Sequence, residues 1–153
     1  MIHTVVLDGL KADTQYSYRV RSIGGYWSQV FEFKTFPAES HARSAQLLIT
    51  ADVGTTSIPK AAIAEAVAGK YAMHLHAGDM AYDMSLNHGT RGDGFFRELQ
   101  PIASRIPFQA VPGNHECDGE SETFMHRTNG LNSSLQITFA TSSAFVPDSR
   151  TRT

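Results

Sequence analysis

From Gln15 to Arg21 the chain runs Gln-Tyr-Ser-Tyr-Arg-Val-Arg. Strict alternation puts Tyr16, Tyr18 and Val20 on one face, the period-2 signature of a half-buried strand. Gly24-Gly25 follows as a turn. Trp27, Gln29, Phe31, Phe33 and Thr35 then share a face of the return strand, with Val30 opposite. Two alternating runs around a glycine pair predict a hairpin. The stretch from Pro37 to Ser44 is polar and aperiodic, and reads as a linker.

The pattern then changes. Ala45 to Ala51 is a short apolar run bounded by polar residues, as in a buried parallel strand. Thr55-Thr56-Ser57 can cap a helix, and Pro59 is tolerated in its first turn. That helix should run to Ala68, burying Ile58, Ala62, Ile63, Ala66 and Val67, and Gly69 suits its C-terminal stop. Tyr71 to Ala77 returns as a second strand, which completes a βαβ unit. A Gly/Asn/Asp-rich loop from Asp83 to Gly94 should lead to a second helix, Phe95 to Arg105, bent or broken near Pro101. Phe108 to Val111 is a short third strand entered through Pro107. Leu135 to Phe139 could form another strand, and Ser142 to Thr153 reads as a loose tail.

Each apolar run of this second part ends in a glycine-containing turn that presents hard donor atoms. The turns are Asp52-Val53-Gly54, Gly78-Asp79-Met80-Ala81-Tyr82, and Gly113-Asn114-His115-Glu116. In open α/β sheets, ligand crevices form at the carboxyl ends of the strands. Asp52 alone would read as a turn or cap residue. Three such turns in order point to one metal site.

These blocks resemble the first three motifs of the calcineurin-like metallophosphoesterases. Asp52-x-Gly54, Gly78-Asp79-x-x-Tyr82 and Gly113-Asn114-His115-Glu116 appear in the family's order, and Tyr82 makes the chain similar to the purple acid phosphatases in particular. The phrase Leu10-x-x-x-Thr14-x-Tyr16-x-Tyr18 resembles the closing strands of the fibronectin type III-like domain that precedes the catalytic domain in plant-type members. The resemblance implies an α/β fold: part of a metallophosphoesterase αββα sandwich, preceded by closing strands of a fibronectin-like β-sandwich. The domain limits so implied are 1–37, a linker at 38–44, a catalytic portion at 45–140 and a divergent tail at 141–153. A complete sandwich of the fibronectin kind needs roughly seven strands and ~100 residues, so only its end is expected here.

The same resemblance implies a hydrolase that cleaves phosphate monoesters through a dinuclear metal centre and a metal-bound water. Fe(III) plus a divalent ion (Zn, Mn or Fe) is the implied pair. Asp52 would bind the first ion, Asp79 would bridge, Tyr82 would bind the first as phenolate, and Asn114 would bind the second. His115 would face the substrate phosphate as stabiliser or proton donor, Glu116 would stand beside the ligands or the leaving group, and His76 would support the site from behind. The family's next motifs, V-x-x-H and G-H-x-H, do not occur in this sequence. Three histidine ligands are therefore missing, and the alternative expectation is a non-catalytic truncated product or interaction fragment.

Bulk properties narrow the partners. The 153 residues carry a net charge of −2, which leaves no basic footprint for nucleic acid and no polybasic membrane patch. No apolar run approaches the ~20 residues of a membrane span. Met1-Ile2-His3-Thr4 does not begin a signal peptide, so the secreted or extracellular location is implied by family alone. Asn132-Ser133-Ser134 has the form of a glycosylation sequon. The single cysteine, Cys117, has no internal disulfide partner. Arg91-Gly92-Asp93 reads as loop and helix cap rather than as an adhesion tripeptide, and His3, His41, His88 and His126 as surface histidines.

Overall fold

The computed structural model describes residues 5–21, 23–38, 44–54 and 58–117, and for Cys117 the backbone alone. The expected helix cap at Thr55 to Ser57, the core of the linker, His3, His41 and His126, the sequon, the strand at Leu135 to Phe139 and the tail lie outside those residues. The architecture is mixed α/β. An antiparallel pair, β1 (Gln15–Tyr18) and β2 (Phe31–Lys34), comes first. Next come β3 (Leu47–Thr50), α1 (Lys60–Val67), β4 (Met73–Ala77), α2 (Thr90–Ala103), β5 (Phe108–Val111) and the short α3 (Asn114–Cys117). The last three strands form a parallel sheet in the order β3-β4-β5.

The hairpin follows its alternation. Tyr16 pairs with Phe33 and Tyr18 with Phe31, and ring centroids 5.6 Å and 5.5 Å apart line the inner face. Val20 and Phe31 are buried there, while Val30 points out at 60% exposure. At the loop end, Arg21 bridges to Trp27, whose ring is flanked by the Arg19 and Arg21 guanidiniums at 4.3 Å and 4.8 Å. The hairpin is tied to the parallel unit where Tyr18 Oη donates to the Ser104 carbonyl at 2.9 Å.

Helix α1 ends as expected. Gly69 adopts φ +77°, and the N–H groups of Gly69 and Lys70 reach back to the carbonyls of Ala66 and Glu65, closing a Schellman-type cap. Pro59 stands at the N-cap rather than inside the first turn. Ile58 and Ala66 are buried and Ala62 and Ile63 half-buried, but Val67 is 47% exposed. Ala66 turns into the core, and Val67 beside it borders a cleft.

Helix α2 departs most from expectation. It begins at Thr90, five residues earlier than the apolar pattern suggests, with Gly89 as a left-handed N-cap. Arg91-Gly92-Asp93 therefore lies within its first turns, not in a loop. Pro101 does not break it. Phe95, Phe96, Leu99, Ile102 and Ala103 form one buried stripe on both sides of the proline. Each large apolar side chain so buried contributes about 1.5–3 kcal/mol, and together they hold a turn that lacks one main-chain bond. Leu48 and Phe108 complete this core on one face of the sheet. The other face carries Leu47, Ile49 and Val111, which are 45%, 65% and 54% exposed.

Candidate metal centre

Register decides what meets at the carboxyl edge. Thr50 pairs with His76 and Ala77 with Val111, so the turns after β3, β4 and β5 emerge side by side. Asp52 and Asp79 share the same left-handed backbone, φ +53° each, and Tyr82 sits at +48°. For residues other than glycine this conformation costs roughly 1–2 kcal/mol each, and its persistence marks turns determined by their surroundings.

The first two turns are joined main chain to main chain. Asp52 N–H donates to the Gly78 carbonyl and Val53 N–H to the Asp79 carbonyl, each at 3.1 Å. This brings Tyr82 over the first turn, where its hydroxyl donates to Asp52 Oδ1 at 2.9 Å. That bond, first of all, raises the Tyr82 phenol above its usual range.

The second and third turns touch directly. A Cβ on Gly78 would lie 2.7 Å from Gly113 Cα, and one on Gly113 would lie 2.0 Å from Asp79 Oδ1. Only glycine fits at either position. The Asp79 carboxylate is 9% exposed and accepts the His115 N–H at 3.1 Å. Glu116 is buried at 2% and spans both turns. Its Oε2 accepts from the N–H groups of Asp79 and Gly113, and its Oε1 from Met80, all at 2.8 Å. The His115 ring stands edge-on to Tyr82 with centroids 4.7 Å apart, and its Nδ1 is 3.9 Å from Asp83 Oδ1. Asn114 opens α3 and is exposed, with no side-chain hydrogen bond to the other site residues.

Behind the site, β3 and β4 hold a buried polar cluster. The Thr50 hydroxyl lies 2.7 Å from His74 Nε2 and 2.8 Å from His76 Nδ1. A hydroxyl has one proton, so at most one of the two imidazoles can accept from Thr50 and at least one must donate to it. His74 and His76 are 1% and 2% exposed. Burial first, and His76 second, push His74 down to about 4. Burial also lowers His76, against opposing effects led by Glu116. His76 thus supports the β4 turn from the core and does not open into the site. In the sequence Thr50 is only the residue that opens the Asp52 turn; its role between two histidines carries no signal until its cross-strand partners are known.

The donors fit a cation in part. Two oxygens bound at about 2.0–2.1 Å to one octahedral ion lie roughly 2.9 Å apart, the separation that Asp52 Oδ1 and Tyr82 Oη already have. Among the described residues no group of three His, Cys, Asp or Glu side chains forms a ready cage. The oxygen set here relies on a phenol and an amide, and one carboxylate, Glu116, is spent on main-chain N–H groups. A cleft of about 500 Å³ lies elsewhere, lined by Phe33, Tyr71, Arg105 and Pro107. It opens between the hairpin and the amino ends of the parallel strands, and holds none of the candidate ligands.

The chain is similar to known proteins. The family described as "Purple acid Phosphatase, N-terminal domain" matches residues 1–35. "Acid phosphatase type 7" of Homo sapiens is 36% identical over 118 residues, which are 75% of this chain and 26% of the relative. "Purple acid phosphatase 18" of Arabidopsis thaliana is 36% identical over 115 residues, 75% of this chain and 24% of the relative. The solved purple acid phosphatase from yellow lupin (Lupinus luteus) seeds superposes with a TM-score of 0.56 at 24% identity, over 70% of this chain and 22% of that one. The chain thus spans about a quarter of the length of these curated relatives. No helix among the described residues is long and apolar enough to cross a membrane.

Proposed function

This chain belongs to the purple acid phosphatase family, and from that membership we propose that it carries the first half of a dinuclear metal centre that hydrolyses phosphate monoesters. The observation behind this reading is the approach of Tyr82 Oη to Asp52 Oδ1 at 2.9 Å, two hard donors delivered by different turns to one point. Asp52 and Tyr82 would hold Fe(III), because a phenolate and a carboxylate suit a hard trivalent ion. Asp79 would reach both ions, and Asn114 would serve the divalent partner, Zn, Mn or Fe. When bound, such a pair supplies charge neutralisation at the phosphate and an acidified water. The chain's own residues do the remaining work. His115, whose ring stands against Tyr82, would stabilise a phosphate oxygen or give a proton to the leaving group. Burial of the Asp79 and Glu116 carboxylates keeps water from loosening the turns. The domain division at 1–37 and 45–140, a small phosphate ester as substrate, and a secreted location are part of the same proposal.

A second reading rests on the sequence. Neither V-x-x-H nor G-H-x-H is present, so four of seven family ligands remain, and this chain alone would bind metal without turnover or act by interaction only. The deciding experiment loads the chain with Fe(III) and Zn(II). It records bound metal, visible absorption and hydrolysis of a nitrophenyl phosphate, alone and with the histidine-bearing remainder of a relative appended. Iron with a phenolate charge-transfer band, and activity only in the extended chain, is the expected result. No iron and no hydrolysis in either form would overturn the metal centre.

A further inference from the structure

The three turns are not joined alike. Turn one meets turn two through a pair of main-chain hydrogen bonds that continue the sheet. Past the last β4–β5 pair, Ala77 with Val111, the hydrogen bonds between turn two and turn three among the described residues all run through carboxylates. Glu116 carries two of the three, and a further bond ties it back to Gly113 at the start of its own turn. It reaches out of α3, takes the Asp79 and Met80 N–H groups of the second turn, and takes the Gly113 N–H of the third. At 2% exposure, with no cation paired to it among the described residues, its charge is balanced by these main-chain donors. Charge-assisted bonds of this kind are roughly twice as strong as neutral ones. Gly78 packs so closely on Gly113 that neither has room for a Cβ, and Glu116 ties the turns together at that spacing.

We propose that Glu116 is a positioning residue that fixes Asp79 relative to Asn114, and with it the divalent-ion half of the centre, while the Asp52–Tyr82 half is held without it. The proposal rests on the metal reading above, and it has a consequence that reading lacks: the two halves should respond differently to one substitution. A glutamine at 116 keeps the shape, but it has one acceptor oxygen in place of two: with that oxygen on the N–H groups of Asp79 and Gly113, its amide N–H₂ faces the Met80 N–H, and the charge is lost. An aspartate is one methylene too short to reach both turns.

The test uses the whole chain as wild type, Glu116→Gln, Glu116→Asp and the remote core variant Ile102→Val. Mn(II) affinity, the Fe(III)–phenolate band and amide hydrogen exchange at Asp79, Met80 and Gly113 are measured well below each melting temperature. Supporting residues behind metal ligands typically change affinity by ~10–100-fold. The expected result is that order of Mn(II) weakening in both Glu116 variants, with the iron band retained and exchange accelerated at the three amides. Ile102→Val should change none of these. Unchanged Mn(II) binding in Glu116→Gln overturns the proposal, and so does an equal loss in Ile102→Val, which marks a purely structural role. If the wild type binds no metal at all, the metal reading fails by itself. Exchange at the three amides then decides the clamp, and unaltered protection in both Glu116 variants sinks it.

Discussion

Tyr82 and Asp52 stand 30 residues apart in sequence, yet the phenol donates to the carboxylate at 2.9 Å across two turns. In the metal-free chain this is an ordinary surface hydrogen bond. Under the proposed metal reading, the same two oxygens would become neighbouring ligands of a hard trivalent ion.

Tyr82→Phe should therefore do little to folding and much to iron. Folding stability is expected to change by less than about 1 kcal/mol, as for most solvent-facing hydrogen bonds. The visible charge-transfer band should vanish. Urea unfolding of the metal-free variant and absorption of the iron-loaded one check both halves, and a surviving band would remove Tyr82 from the ligand set.

Gly113→Ala should be among the most damaging small substitutions. Its Cβ would fall 2.0 Å from Asp79 Oδ1 and 2.5 Å from Asp79 N. Forced overpacking of this kind costs typically 1–3 kcal/mol and sometimes more. Gly24→Ala is the control, since it has a positive φ of +71° but nothing within 4 Å. It should lose only the roughly 1–2 kcal/mol of the left-handed backbone. Thermal melts of the two variants should rank in that order, and a reversed order would mean that the turns can move apart.

The Thr50 cluster should make the fold acid-sensitive. His74 is held neutral by burial, at about 4, below the ~6.5 of an unfolded histidine. As pH falls from about 6.5 toward 4, the unfolded chain takes up a proton that the folded chain refuses. The stability contributed above pH 6.5 is then lost progressively. Urea midpoints at pH 7.5, 6 and 4.5 should fall in the wild type and fall less in His74→Gln. Identical profiles would place the acid sensitivity elsewhere.

Leu47, Ile49 and Val111 expose an apolar stripe on the outer sheet face. Parallel sheets are normally covered on both faces, and bare apolar patches associate. The isolated chain is expected to self-associate at tens of micromolar, and Ile49→Lys should reduce this, with stability changed by no more than about 0.5 kcal/mol. Sedimentation velocity on the two proteins decides it, and a wild type that stays monomeric would show that the face is covered.

Much of this molecule could be read from the chain alone. Alternation in Tyr16, Tyr18, Phe31 and Phe33, the apolar runs before Asp52, Asp79 and Asn114, and the stop at Gly69 are local patterns. Strand periodicity, turn chemistry and capping depend on residues within a few positions of one another, so they survive without a fold. The family resemblance drew on the same local blocks. Other features needed partners far along the chain. α2 passes through Pro101 because buried residues on both sides hold it. Val67 is exposed because it borders the cleft instead of the core. Thr50 matters because the register of β3 on β4 sets it between two histidines. Glu116 was legible as the last residue of the third motif, beside the ligands or the leaving group, but its clamp between the turns after β4 and β5 shows only where they come within a side chain's reach. Its main-chain partners at Asp79 and Met80 lie 37 and 36 residues upstream, and only the sheet's register brings them to it.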